Sequence, residues 1–168
     1  THGHPRALVG ALAYGFAVWQ QFRSSETLGY GALVDLLLDS HRVWSVFPEA
    51  SPELHEWLSA ADASLGSSYL ELWGRTVDEQ MLLLKAAKEG MSKGALAVDQ
   101  EMLRQLGCYD KQVSGSGTIA AAAAVFLASR YAADPMNGVL EAAYSRGADT
   151  DTLASLVGAL LGAVNGIE

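Results

Sequence analysis

The runs "IAAAAAVFLA" (119–128) and "LASLVGALLGAV" (153–164) do most to restrict the fold of this chain. Both fall short of the roughly 20 apolar residues that a helix needs to cross a bilayer. Both are built largely from small side chains, so they read as helices buried in a protein core. In the second run Ala154, Gly158 and Gly162, with Ala159 and Ala163, let neighbouring helices approach closely. Glycine costs a helix about 1 kcal/mol relative to alanine, so close packing must offset it.

The rest of the chain follows a helical period. Residues 5–23 form a predicted helix with Pro5 at its first position. Leu8, Leu12, Phe16 and Trp19 would make its apolar stripe. A second helix is expected over 28–40, with Ser24, Ser25 and Thr27 as candidate caps. Pro48 and Pro52 punctuate a loop, after which Ser51 as N-cap and Pro52 at N1 open a short helix. "TVDEQMLLLKAAKEG" (76–90) reads as a helix capped by Thr76 and ended by Gly90. The stretch 91–116 is polar and punctuated by glycine and serine, and helices are expected over 118–131, 136–146 and 152–165. Asp134 before Pro135 reads as a turn and helix start, and the four tryptophans at 19, 44, 57 and 73 read as core or interface. No alternating strand pattern and no repeat interrupts this series. The expectation is an all-α, compact multi-helix globule without significant sheet, spanning 1–168 as a single domain.

Composition narrows the function. A formal net charge of −8 and the lack of any lysine or arginine cluster argue against a nucleic-acid binder. The single cysteine, Cys108, rules out an intrachain disulfide and a cysteine metal cluster, and it reads as a small buried hydrophobe. A reducing, cytoplasmic setting fits this usage. No signal peptide opens the chain, and no membrane partner is expected.

The chemistry concentrates in "RGADTDT" (146–152). Two residues on a regular helix are about 200° apart, so Asp149 and Asp151 would face opposite ways inside one. They converge only where the backbone is irregular, and Gly147 permits a tight turn just before them. At such a junction Asp149, Asp151 and Thr152 present three oxygens, a donor set suited to a hard cation such as Mg2+ or Mn2+ rather than zinc. Helix capping calls for the same residue types, although one is enough for a cap. On pattern alone both readings stand.

"RGADTDTLASLVGALLGAVNG" closely resembles the C-terminal signature of the ADP-ribosylglycohydrolases, the group that includes dinitrogenase reductase-activating glycohydrolase. "THGHPRALVGALAYGFA" is similar to a second family segment, Thr-His-x-x-Pro before an Ala-rich helix, and "SGSGTIAAAAAVFLASRYAADPMNGVLEAAYSRG" resembles the stretch between them. The three stand in family order and cover about half of the chain; the closing signature is the specific one. The resemblance implies an all-α globule with two Mg2+ or Mn2+ ions in a cleft that binds ADP-ribose. It makes Asp149, Asp151 and Thr152 metal ligands, with Asp149 and Asp151 catalytic and Asp151 the candidate bridge between the ions. It makes His2 a contact for ADP-ribose, and the "SGSG" turn, Ser114, Gly115, Ser116 and Gly117, a contact for the ribose region.

The implied reaction is hydrolysis of the bond between the ADP-ribose anomeric carbon and a modified side chain or base. The family's N-terminal Thr-Asp-Asp segment has no counterpart here; the early acids Glu26 and Asp35 stand outside any such motif. The chain therefore resembles the C-terminal part of the whole enzyme, with a second chain as a candidate source of the other ligands. Read from residues alone, His2 and His4 are exposed histidines before the first helix, and "SGSG" is a plain turn. The functional readings that compete are a metal-dependent ADP-ribosyl hydrolase, an ADP-ribose-binding or inhibitory module of the same fold, and a helical interaction domain whose Asp-Thr run merely caps.

Overall fold

The computed structural model describes residues 3–24, 28–48, 51–94 and 98–165. Among the described residues the chain forms nine helices and no strand: α1 (Pro5–Arg23), α2 (Ala32–Asp39), α3 (His41–Trp44), α4 (Pro52–Leu65), α5 (Tyr69–Ser92), α6 (Asp99–Gln105), α7 (Gly117–Arg130), α8 (Pro135–Tyr144) and α9 (Thr150–Asn165). The all-α expectation holds.

α7 is the axis of the bundle. From Thr118 to Ser129 every residue but Ala120 is buried, because the helix is apolar around its whole circumference and α1, α2, α5, α8 and α9 all pack on it. Its alanine methyls keep the neighbours close, and only Phe126, Leu127, Ile119 and Val125 project far into the core. α9 packs against α8 and α7 through Leu153, Val157, Leu160 and Leu161, and the Tyr14 hydroxyl of α1 donates to the Leu156 carbonyl at 2.9 Å.

The helix starts at 51, 134 and 150 follow local chemistry. Ser51 Oγ accepts from the Leu54 N–H at 3.3 Å with Pro52 next to it, and Asp134 accepts from Asn137 in the same way. Four other expectations are corrected. Thr76 is no cap: α5 begins seven residues earlier, capped by Ser68, and Thr76 is buried mid-helix, its hydroxyl bonded to the Leu72 carbonyl. Gly90 does not end that helix; it lies inside it, packed against Met102 of α6, a helix for which the polar stretch 91–116 gave no signal. α2 starts after Gly31, whose φ of 81° makes the turn; Ser24 closes α1 instead, and Ser25 and Thr27 lie outside the described residues.

Of the α1 stripe only Phe16 packs, half-buried, against the core; the other three face outward. Leu8, Leu12 and Trp19 are 36%, 40% and 50% exposed, while Val9, Ala13 and Ala17 face the core. Close contact with α7 admits only small side chains on that face, so the large ones turn outward. Two of the four tryptophans likewise stay outside: Trp44 and Trp73 are buried, and Trp19 and Trp57 are exposed.

A buried ion pair ties α6 to the end of α7. Arg130 and Asp99 meet at 2.6 Å with both side chains 7% exposed, and the Tyr131 hydroxyl donates to the second Asp99 oxygen at 2.6 Å. No helix among the described residues is long and apolar enough to cross a membrane.

Candidate functional site

The three segments singled out in the sequence meet at one end of the bundle. Their meeting depends first on how α1 crosses α7. Gly117, the first residue of α7, lies so near α1 that a Cβ on it would come within 2.7 Å of the Arg6 carbonyl oxygen. The backbone of "GHPRA" therefore runs directly beside the "SGSG" turn. His4 caps α1, its Nδ1 accepting from the Arg6 N–H at 3.1 Å. His2 lies outside the described residues.

Within the turn, the Ser114 N–H donates to the Asp110 carbonyl at 2.7 Å and the Ser116 N–H to the Val113 carbonyl at 2.8 Å. Gly115 is exposed with open space around it. Ser116 is the N-cap of α7, yet its hydroxyl caps no helix N–H. It bonds instead to the Thr118 hydroxyl at 2.8 Å, and Thr118 donates to a carboxylate oxygen of Glu79 at 2.8 Å. The other Glu79 oxygen receives Arg6 Nε at 2.9 Å and a terminal Arg6 nitrogen at 2.8 Å. Glu79, Arg6 and Thr118 were not singled out in the sequence. Glu79 reads there only as a helical acid, and nothing local links it to residues 39 positions away.

The "RGADTDT" segment makes the irregular start that its spacing requires. Gly147 has φ of 98°, a conformation that L side chains rarely adopt, and an isolated bridge joins Arg146 to Ala148 around it. Asp149 stays outside the helix while its carbonyl accepts from the Leu153 N–H at 2.9 Å. Asp151 lies in the first turn of α9, and both carboxylates and Thr152 are exposed. Hydrogen bonding from Asp149, with the N–H groups of Thr152 and Asp151, holds the Asp151 carboxyl below its ordinary value.

Between the turn and this helix start runs a tight crevice lined by Ser114, Ala120, Ala148, Asp149 and Thr152, with Cys108 beneath. Ser114 and Asp149 both line it although 35 residues separate them. Cys108 is no ligand: burial pushes its thiol up to about 12, so it stays protonated.

Two carboxylates and a hydroxyl form an all-oxygen donor set, accessible and negatively charged, which suits one side of a hard cation. Among the described residues no group of three or more His, Cys, Asp or Glu side chains could hold a metal ion, so the set is one-sided. No curated protein and no solved structure matches the chain. The ADP-ribosylglycohydrolase family model matches residues 1–168, and the chain belongs to this family of glycohydrolases.

Proposed function

We propose that this chain contributes the Asp149, Asp151 and Thr152 side of a Mg2+- or Mn2+-dependent site that hydrolyses ADP-ribose from a modified protein or other acceptor. The observation that carries the reading is that Ser114 of the glycine-rich turn lines one narrow crevice, of about 10 Å³, with Asp149 and Thr152, so the turn lies next to the acidic helix start. Asp149 and Asp151 would hold the metal with Thr152. A bound ion of this kind orients ribose hydroxyls and polarises a water. The turn residues Ser114, Gly115, Ser116 and Gly117, with His2, would hold the ribose against that face. Water adds to the anomeric carbon as the bond to the acceptor breaks, and the acceptor leaves with a proton. The remaining metal ligands come from polypeptide outside the described residues, a second chain being one source. The setting is cytoplasmic.

The test is release of ADP-ribose from a modified protein, followed with MgCl2 and with chelator. Asp151→Asn is expected to abolish the Mg2+-dependent release. Full activity in that variant would sink the assignment. Binding of ADP-ribose without release, in the unaltered chain supplied with Mg2+, would favour a non-catalytic ADP-ribose-binding module instead.

A further inference from the structure

We propose that Glu79 is a positioning residue that fixes Ser116 as a hydrogen-bond acceptor at the glycine-rich turn, and so selects a hydroxyl donor of the ligand there. This rests on the reading of the turn as an ADP-ribose contact. The argument is one of proton inventory. A carboxylate only accepts, and a hydroxyl has one proton to give. Thr118 gives its proton to Glu79 at 2.8 Å. It therefore has none left for Ser116, so in the 2.8 Å contact between the two hydroxyls Ser116 must be the donor. The chain of bonds runs one way, from Ser116 to Thr118 to Glu79.

Two further observations fit that direction. Ser116 occupies an N-cap position, where a serine oxygen ordinarily accepts a helix N–H, yet it makes no such bond. Its lone pairs are not spent on the helix. Arg6 orients Glu79 by gripping its other oxygen through two nitrogens at 2.8 and 2.9 Å. Thr118 is fully buried, which keeps water from substituting in the relay. Ser116 thus presents lone pairs and no proton, the complement of a ribose hydroxyl and a mismatch for a carbonyl or phosphate oxygen.

Glu79→Gln tests this at nearly constant shape. Arg6 offers only donors, so the amide oxygen turns to Arg6 and the amide NH2 to Thr118. The relay then runs backward and Ser116 becomes a donor. Isothermal titration of the chain with ADP-ribose in MgCl2 is expected to show binding weakened roughly tenfold. Thr118→Val frees the Ser116 proton while leaving the Arg6–Glu79 pair intact, and should weaken binding similarly. The double variant should bind no worse than either single one, since both remove the same bond polarity. Equal binding by Glu79→Gln and the unaltered chain, or strictly additive losses in the double variant, would overturn the role of Glu79 while leaving the ADP-ribose site standing. No binding by the unaltered chain overturns both. A lowered melting temperature with unchanged affinity marks a merely structural Glu79 and also overturns the proposal.

Discussion

Gly10 of α1 and Gly117 of α7 meet backbone to backbone: a Cβ added to Gly10 would overlap the Gly117 carbonyl. This crossing brings the segment after His4 beside the "SGSG" turn, and the ends of the candidate site are built around it. Gly10→Ala should force the helices apart and destabilise the chain by about 1–3 kcal/mol. Gly15 is in the same helix with open space around it, so Gly15→Ala should stabilise by about 0.5–1 kcal/mol. Urea unfolding of the two variants checks both signs, and an equal effect of the two would refute the steric account.

The Asp99–Arg130 pair is buried on both sides, which makes its two halves interdependent. Arg130→Ala leaves the Asp99 charge without its cation and should cost about 3–5 kcal/mol. Asp99→Leu combined with Arg130→Met removes both charges and should recover part of that loss. Thermal or denaturant melts of the single and double variants decide the matter.

Cys108 should be inert in the folded chain. Burial raises its thiol from an ordinary 9.0 to about 12, so the reactive thiolate is scarce at pH 8. Iodoacetamide labelling followed by mass spectrometry is expected to be slow under native conditions and complete in urea. The sign for stability follows from the same shift. The contribution of the neutral buried thiol is intact below about pH 9, where it is protonated in both states, and is lost as pH rises toward about 12.

α4 should open well before the rest of the bundle. None of its residues is buried, and among the other helices it packs mainly on α5. Apolar cavities of about 390 and 540 Å³ flank it, with Trp57 on the wall of both. Low burial means a low free energy of local opening. Hydrogen exchange read by mass spectrometry should show α4 amides exchanging far faster than those of α7. Comparable protection would mean that α4 is held by contacts beyond these.

Much was settled by the sequence alone, wherever the determining physics is local. Ser51 before Pro52, Asp134 before Pro135 and the apolar, alanine-rich run at 119–128 specify their helices through caps and composition within a few residues. The irregular start at Gly147 was legible in the same way, since a glycine just before the Asp-Thr run permits the tight turn found there. Local pattern misled where a helix is held by distant partners. Thr76 looks like a cap but is buried mid-helix, because α5 packing extends the helix back to Tyr69. The large residues of α1 look like its core face, but α7 approaches too closely for them, and Ala13 and Ala17 take that place. Only the tertiary structure brings Ser114 to Asp149 and Glu79 to Thr118. Those contacts join residues with no periodic relation in the chain. They depend on how whole helices pack, as does the approach of α1 to α7 that glycines at positions 10 and 117 permit and no local pattern announces.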